Sequence, residues 1–294
     1  MRELVFGSWT VTAAPECGGN LSQVKYSGVD IMRGYTELSR WIEAPTNFGF
    51  AVLFPPNRID GGKFMFNGKK YQLPVNEPAR GNHLHGIALR EKWFLDEVTE
   101  NSLSMSWIFD ENAPMHEGYP FDCILRVTYT FTEKALIQEF TVRNCSSDVI
   151  PCALGFHSAF PAPARMLVSG KGGRFELPPP RYLMSGRETL WQEGFQPDTW
   201  CDPAQVWPFG HFRMDESNRT AVLDYGSFSL RYTVDEKFNH WMVWRPESDT
   251  SFICIEPMNI RVGTFENAPG ALPVLQAEES TKFTSKIEIM DMPQ

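Results

Sequence analysis

Four short stretches carry the residue types that proton transfer and polar-ligand binding require. In FICIEP, Glu256 follows Phe252 and Cys254 at a spacing of two, so an extended chain puts all three on one face. Pro257 biases Glu256 toward extended backbone and supplies no ladder N–H, so the strand is expected to end there. A carboxylate at the mouth of an apolar strand is desolvated, which raises its pKa and suits a general acid or base. The plainer alternative is a glutamate that caps a loop or pairs with an arginine. His157 closes the apolar run CALGF in the same manner, and imidazole is the side chain that most readily exchanges a proton near neutrality. Its alternative is a core histidine bonded to backbone. GNHLHG sets His83 and His85 two residues apart, where an extended chain would give them a common face for a metal, a substrate or a turn. In FPPNRIDGG, Asn57 and Arg58 precede a hairpin signal. Arg58 could clamp a hydroxyl-rich ligand or pair with a carboxylate such as Asp60.

The elements that must position these residues read as strands. LRVTYTFT alternates Leu125, Val127, Tyr129 and Phe131 with polar residues, and LIQEFTVRN returns after the turn EKA, as expected of a half-buried hairpin. KFTSKIEIM alternates in the same way. In KFMFNGKKYQL the pair Asn67-Gly68 suits a two-residue type I′ turn, which predicts Phe64 opposite Tyr71 and Phe66 opposite Lys69. Helical periodicity is scarce, with a short helix expected within residues 35–44. Residues 161–215, rich in Pro, Gly and Trp, read as long loops and short edge strands that rim a cleft. The expected architecture is all-β and antiparallel, a sandwich or barrel, in a single domain over residues 1–294.

Composition narrows the function classes. The 294 residues can bury a real core, and 42% hydrophobic with 21% charged residues is ordinary for a water-soluble fold. A net charge of −9 argues against nucleic acid or an anionic membrane as partner. The start lacks the basic segment and apolar run of a signal peptide, and no apolar run is long enough to span a membrane. The expectation is a cytoplasmic protein whose six cysteines are reduced, mostly small buried hydrophobes. No nucleophile elbow, P-loop or dinucleotide fingerprint is present.

Taken in order, NRIDGGKFMFNGKKYQLPVNE, NHLHG, GFHSAFP and CIEPMN resemble the motifs of the aldose 1-epimerase (galactose mutarotase) family, from Asn57 to Asn259. The resemblance implies a β-supersandwich of two large twisted antiparallel sheets. It also implies a cofactor-free, metal-free interconversion of the α and β anomers of a hexose, with a small sugar as the partner. Carried over by position, His157 is the general acid on the ring oxygen and Glu256 the general base at the C1 hydroxyl. Arg58, His85 and Asn57 become substrate-binding residues, with His83 nearer to a structural role. Phe160, Trp207 and Trp241 are candidates for the aromatic surface on which sugar C–H faces pack. Three departures stand out, one of them the idiosyncratic loops of the third quarter of the chain, which would set specificity. Ser158-Ala159 replaces the family's Pro-Tyr, changing the wall beside the acid, and the family's sugar-binding Asp has no match beyond Asp215 or the loop around His211. The rivals are a sugar-phosphate 1-epimerase with Arg80, Arg90 and Lys92 at the rim, a non-catalytic sugar-binding protein, and a cupin-like metalloenzyme using His83, His85, His157 and Glu256.

Overall fold

Two large antiparallel sheets face one another across a shared apolar layer in this computed structural model, which describes residues 1–191, 194–207 and 209–290. The eight-stranded sheet runs in the order Phe94–Val98, Ser102–Phe109, Cys123–Phe131, Ala135–Asn144, Ser280–Met290, Ser229–Val234, Thr220–Asp224, Arg165–Val168. The seven-stranded sheet runs Glu188–Thr189, Lys171–Phe175, His211–Arg213, His240–Trp244, Phe252–Met258, Gly155–Pro161, Phe50–Leu53. A four-stranded sheet, Arg2–Phe6, Trp9–Ala14, Asn20–Tyr26 and Val29–Asp30, packs beside them near the N-terminus.

The eight-stranded sheet follows the alternation of its sequence. Leu125, Val127, Tyr129 and Phe131 are buried while their odd-one-out neighbours are not, and Phe283, Ser285, Ile287 and Ile289 repeat the pattern. Residues Cys123–Phe131 pair in unbroken register with Ala135–Asn144 across the expected turn. The Asn-Gly hairpin is also as expected: Phe64 lies opposite Tyr71, Phe66 opposite Lys69, and Asn67 and Gly68 have φ of 47° and 75°. The short helix is Leu38–Glu43. Among the described residues of 161–215 are three short strands of the seven-stranded sheet and one of the eight-stranded sheet, with irregular backbone between them.

One expectation is corrected. The strand carrying Glu256 continues through Pro257 to Met258. Pro257 sits opposite Trp241 on one side. On its other side the ladder holds one register, Gly155 to Met258 and Ser158 to Ile255, and is interrupted between those rungs. Proline lacks the N–H that would close the gap, and the flanking rungs are sufficient to carry the strand past it.

A candidate active site on the outer face of the seven-stranded sheet

The register just described dictates the site. Counting inward from Gly155–Met258 and Ser158–Ile255 puts His157 directly opposite Glu256, on neighbouring antiparallel strands. Opposed side chains on one face stand about 5 Å apart at Cβ, and here His157 Nε2 and Glu256 Oε1 approach to 3.1 Å. Alternation then sorts the neighbours. Phe156, Phe160, Ile253, Ile255, Trp241 and Val243 point into the shared core. Ala159, Phe252, Cys254, Met242 and Met258 form two small clusters, each with Trp244 packed against it, on the His157–Glu256 face.

Both members of the pair are buried, with side chains 4% and 3% exposed. Burial disfavours the charged form of each: it pushes the Glu256 carboxyl well above its ordinary range and the His157 imidazole down to about 3. The Arg58 guanidinium works against burial at Glu256, favouring the carboxylate. The backbone of Thr46 opposes burial weakly at His157, although Nδ1 is left without a hydrogen-bond partner. Two desolvated groups in contact are best served by one proton between them, which leaves the pair neutral in either arrangement. Such a pair can give a proton at one atom and accept one at the other.

His85 and Arg58 reach the same place from a different part of the chain. Arg58–Asp60 and Asn82–Leu84 form a two-stranded ribbon, Arg58 opposite Leu84 and Ile59 opposite His83. The ribbon ends just before His85, whose φ of 66° turns the chain. His83 and His85 therefore do not share a strand face, contrary to the extended-chain expectation. His83 is buried with Nδ1 against the Pro74 carbonyl at 2.8 Å, a structural placement. The His85 ring stands edge-on to that of His157, centroids 5.4 Å apart, with Nδ1 buried and unpartnered. Burial first, then the neighbouring His157, Arg58 and His83, hold His85 well below its ordinary pKa, so it is a neutral ligand-type imidazole. Gly86 fixes this turn: with φ of 73°, any Cβ there would stand 2.1 Å from the Phe54 carbonyl oxygen.

Asn57 and Arg58 divide the work differently from the sequence expectation. Asn57 is also left-handed, with φ of 60°. Its Oδ1 accepts the Arg58 N–H at 2.9 Å, and its carbonyl accepts the His85 N–H at 3.0 Å. Those bonds tie the two ligand-type residues together, so Asn57 acts on their placement. Arg58 pairs with Glu77 and not with Asp60, through Nε at 2.8 Å and Nη2 at 2.9 Å. Burial raises the Glu77 carboxyl, yet hydrogen bonds from Arg58, Arg80 and Asn82 outweigh it and hold the group below its ordinary value. The clamp aims Arg58 and leaves its Nη1 without a protein partner among the described residues. Asp60 pairs with Arg181 instead.

Several further candidates lie elsewhere. Phe160 and Trp241 are fully buried on the core face, and Trp207 is partly exposed beside Arg245. The aromatic ring beside the pair is Trp244, 6.0 Å from His157 between centroids. Sequence reading passed it over because HWMVW offers two tryptophans, and only the register reveals which one has the parity of Glu256. Tyr182, packed against Arg58 and Arg80 at 5.4 and 4.8 Å, was likewise unsignalled in its loop. Ser158 faces inward, its hydroxyl 2.9 Å from that of Tyr232, so only Ala159 alters the wall beside the acid. Asp215 is tied to Lys171 and Ser217 in a turn. His211 is consumed by the Trp241 carbonyl and the Val262 N–H. Arg90 bonds the carbonyl of Ile42 in place of joining Arg80 at a rim.

No group of three or more His, Cys, Asp or Glu side chains is arranged to hold a metal among the described residues. All six cysteines are free thiols, four of them buried. No helix of the described residues is long and apolar enough to cross a membrane. Two surface hollows of about 310 and 400 Å³ occur near Asn259, and neither is lined by His157 or Glu256.

Comparison with known proteins gives the family and the fold. The Aldose 1-epimerase family model matches residues 10–288. The protein YihR of Escherichia coli (strain K12) is 32% identical over 108 residues, covering 36% of this chain and 34% of its own. Galactose mutarotase of Rattus norvegicus is 32% identical over 134 residues, 45% of this chain and 37% of its own. The matched stretches thus span about a third of the length of these two relatives. A galactose mutarotase-like protein of Clostridium acetobutylicum superposes with a TM-score of 0.88 at 22% identity, covering 99% of this chain and 95% of that one, which establishes the shared β-supersandwich fold. On the family match over nearly its whole length, the chain belongs to the aldose 1-epimerase family.

Proposed function

We propose that this chain is a cofactor-free isomerase that interconverts the α and β anomers of an aldose, and that His157 and Glu256 are its acid/base pair. The single observation that carries the reading is their placement: two titratable groups, directly opposed in register, 3.1 Å apart and desolvated on a face that Arg58, His85 and Trp244 also reach.

Ring opening of a cyclic aldose needs a proton delivered to the ring oxygen while another leaves the C1 hydroxyl. The proposed cycle starts with the shared proton on His157; burial favours the opposite arrangement, and Arg58 is the group that favours the carboxylate. His157 Nε2 gives it to the ring oxygen, and Glu256 takes the C1 hydroxyl proton. The C1–O bond to the ring oxygen breaks as the C1 carbonyl forms, leaving an open-chain aldehyde with a C5 hydroxyl. Rotation about C1–C2 presents the other carbonyl face. On reclosure His157 takes back the C5 hydroxyl proton and Glu256 returns its proton to the carbonyl oxygen. The pair ends as it began. Arg58 Nη1 and the His85 ring are suited to holding sugar hydroxyls, and the Trp244 face to packing against sugar C–H groups. A protein that only bound sugar would gain nothing from a matched proton pair, which disfavours the non-catalytic alternative.

An NMR anomer-exchange assay over a panel of aldoses tests the reading. Catalysed exchange of at least one aldose is expected, lowered about 10²–10⁴-fold by Glu256→Gln in folded protein. Absence of exchange for every aldose, or full activity in that variant, would overturn it.

A further inference from the structure

The His157–Glu256 pair is closed off from the surface, its side chains 4% and 3% exposed, and neither residue lines either surface hollow. A loop of residues 176–185 accounts for part of that closure. It leaves the strand Lys171–Phe175 and returns to Glu188–Thr189. Its ends are tied together: the Ser185 N–H donates to the Glu176 carbonyl, and the Glu176 N–H to the Arg187 carbonyl, both at 3.1 Å. This is the closed neck of an Ω-loop. Leu177 packs against the cluster of Met242, Met258 and Val262, and Met242 is the cross-strand neighbour of Glu256. Further along, Tyr182 lies against Arg58, 5.4 Å from guanidinium carbon to ring centroid. The loop therefore runs from the sheet beside Glu256 to the ribbon that carries Arg58. Its outer side, Pro178 to Arg181, is exposed, whereas Leu177, Tyr182, Leu183 and Met184 are half-buried or buried.

The two ends of this loop are held by different forces. At the neck Met184 is seated on Gly263, where any Cβ would stand 2.6 Å from that of Met184. Beside it Gly186 has φ of 83° with no atom within 4 Å of a Cβ position, so the chain has room to turn. At the tip the hold is polar. Arg181 Nε donates to the Arg80 carbonyl at 3.1 Å, and Nη2 to the Gly81 carbonyl and Asn82 Oδ1, each at 3.2 Å. Asn82 Nδ2 donates back to the Arg181 carbonyl at 2.9 Å, and Arg181 forms its ion pair with Asp60. The side chains of that pair are 44% and 47% exposed, so water and salt compete for them.

We propose that residues 176–185 are a hinged lid over the His157–Glu256 pair, pinned at the neck and latched at the tip by Arg181, and that a ligand reaches the pair when the latch lets go. The identity of that ligand as a sugar rests on the mutarotase reading above; the motion does not. Shut, the lid keeps water from a proton that must pass to the sugar. Open, it clears the Tyr182 ring from Arg58.

The test measures access without turnover. Diethyl pyrocarbonate acylates neutral imidazoles, and mass spectrometry reads the rate at each histidine. His157 and His85 should react slowly in the parent and about three- to tenfold faster in Arg181→Gln, the loss expected for an exposed ion pair with its hydrogen bonds. Arg181→Lys should reverse part of that gain. Added salt should speed the reaction in the parent and not in Arg181→Gln. His116, which packs on Phe109, should react equally in all three proteins. Hydrogen exchange should quicken in 176–185 of Arg181→Gln while Phe252–Met258 stays protected. Equal rates at His157 in parent and Arg181→Gln, or loosening of that strand together with the loop, would make the loop a fixed wall and overturn the lid. Catalysed anomer exchange would still stand in that event, and absence of exchange would leave the lid in place, so the two readings fail separately.

Discussion

The two large sheets share one core but use their outer faces differently. The eight-stranded sheet turns Arg126, Thr128 and Thr130 toward solvent and buries only one face. The central strands of the seven-stranded sheet, Gly155–Pro161 and Phe252–Met258, are buried almost throughout, on both faces. On the outer side of the second sheet the buried residues include a histidine and a glutamate in contact, each driven toward its neutral form. The first sheet supplies cohesion through an apolar layer. The second accepts desolvated titratable groups, an arrangement that works against stability and in favour of proton transfer.

Substitutions on the two sheets should therefore separate activity from stability. The largest effect is expected from Glu256→Gln and His157→Asn, each lowering kcat about 10²–10⁴-fold with the thermal midpoint near that of the parent. A large loss of folding in both would erase the contrast. On the other sheet, Phe140 is fully buried against Trp93 and Phe156. Phe140→Ala should cost about 3–5 kcal/mol in urea unfolding while kcat per folded molecule stays within about twofold. A matching fall in kcat would mean that the core sheet positions the site directly.

Acid sensitivity sharpens the comparison. His157 has a folded pKa of about 3 against an ordinary 6.5, so below 6.5 the unfolded chain binds a proton that the fold refuses. Its contribution is complete above about pH 6.5 and is lost as pH falls toward 3. His157→Asn should flatten the decline in unfolding free energy between those limits, by up to a few kcal/mol, and Phe140→Ala should leave the slope unchanged. Equal slopes in parent and His157→Asn would show that the contact with Glu256 cancels the burial. Arg58→Ala should raise KM roughly tenfold with a smaller change in kcat, as expected for loss of a charge-assisted hydrogen bond worth about 1.5–3 kcal/mol. The smallest effect belongs to the hairpin: Gly68→Ala meets no atom within 4 Å but must hold φ of 75°, at a cost of about 1 kcal/mol in unfolding and none in turnover.

What was legible in the sequence follows the same division. Strands with one wet face announce themselves by alternation, so the hairpin of Cys123–Phe131 with Ala135–Asn144 and the pairing of Phe64 with Tyr71 were readable residue by residue. A strand buried on both faces has no alternation to read, which is why Phe160 and Trp241 passed as sugar-stacking candidates until the register turned them inward. His157, Glu256, Arg58 and His85 were legible as chemistry, through motif order and the family resemblance. Their partners were not. Glu77 and Trp244 reach the site by pairing between segments distant in sequence. The left-handed turns at Asn57 and His85 replaced an extended reading with a folded one.

The opposition of His157 and Glu256 is a matter of odd and even counting along two strands, and this limits how such a chain can change in length. One residue inserted into or deleted from Gly155–Pro161 or Phe252–Met258, between the pair and the rungs that fix it, sends an imidazole or a carboxylate into the apolar layer between the sheets. Length changes are expected to be tolerated where no parity is at stake, as in the irregular connections within residues 161–215. Descendants of this chain can therefore acquire new rims around the candidate site by insertion and deletion, while the opposed His157–Glu256 pair itself changes only by substitution.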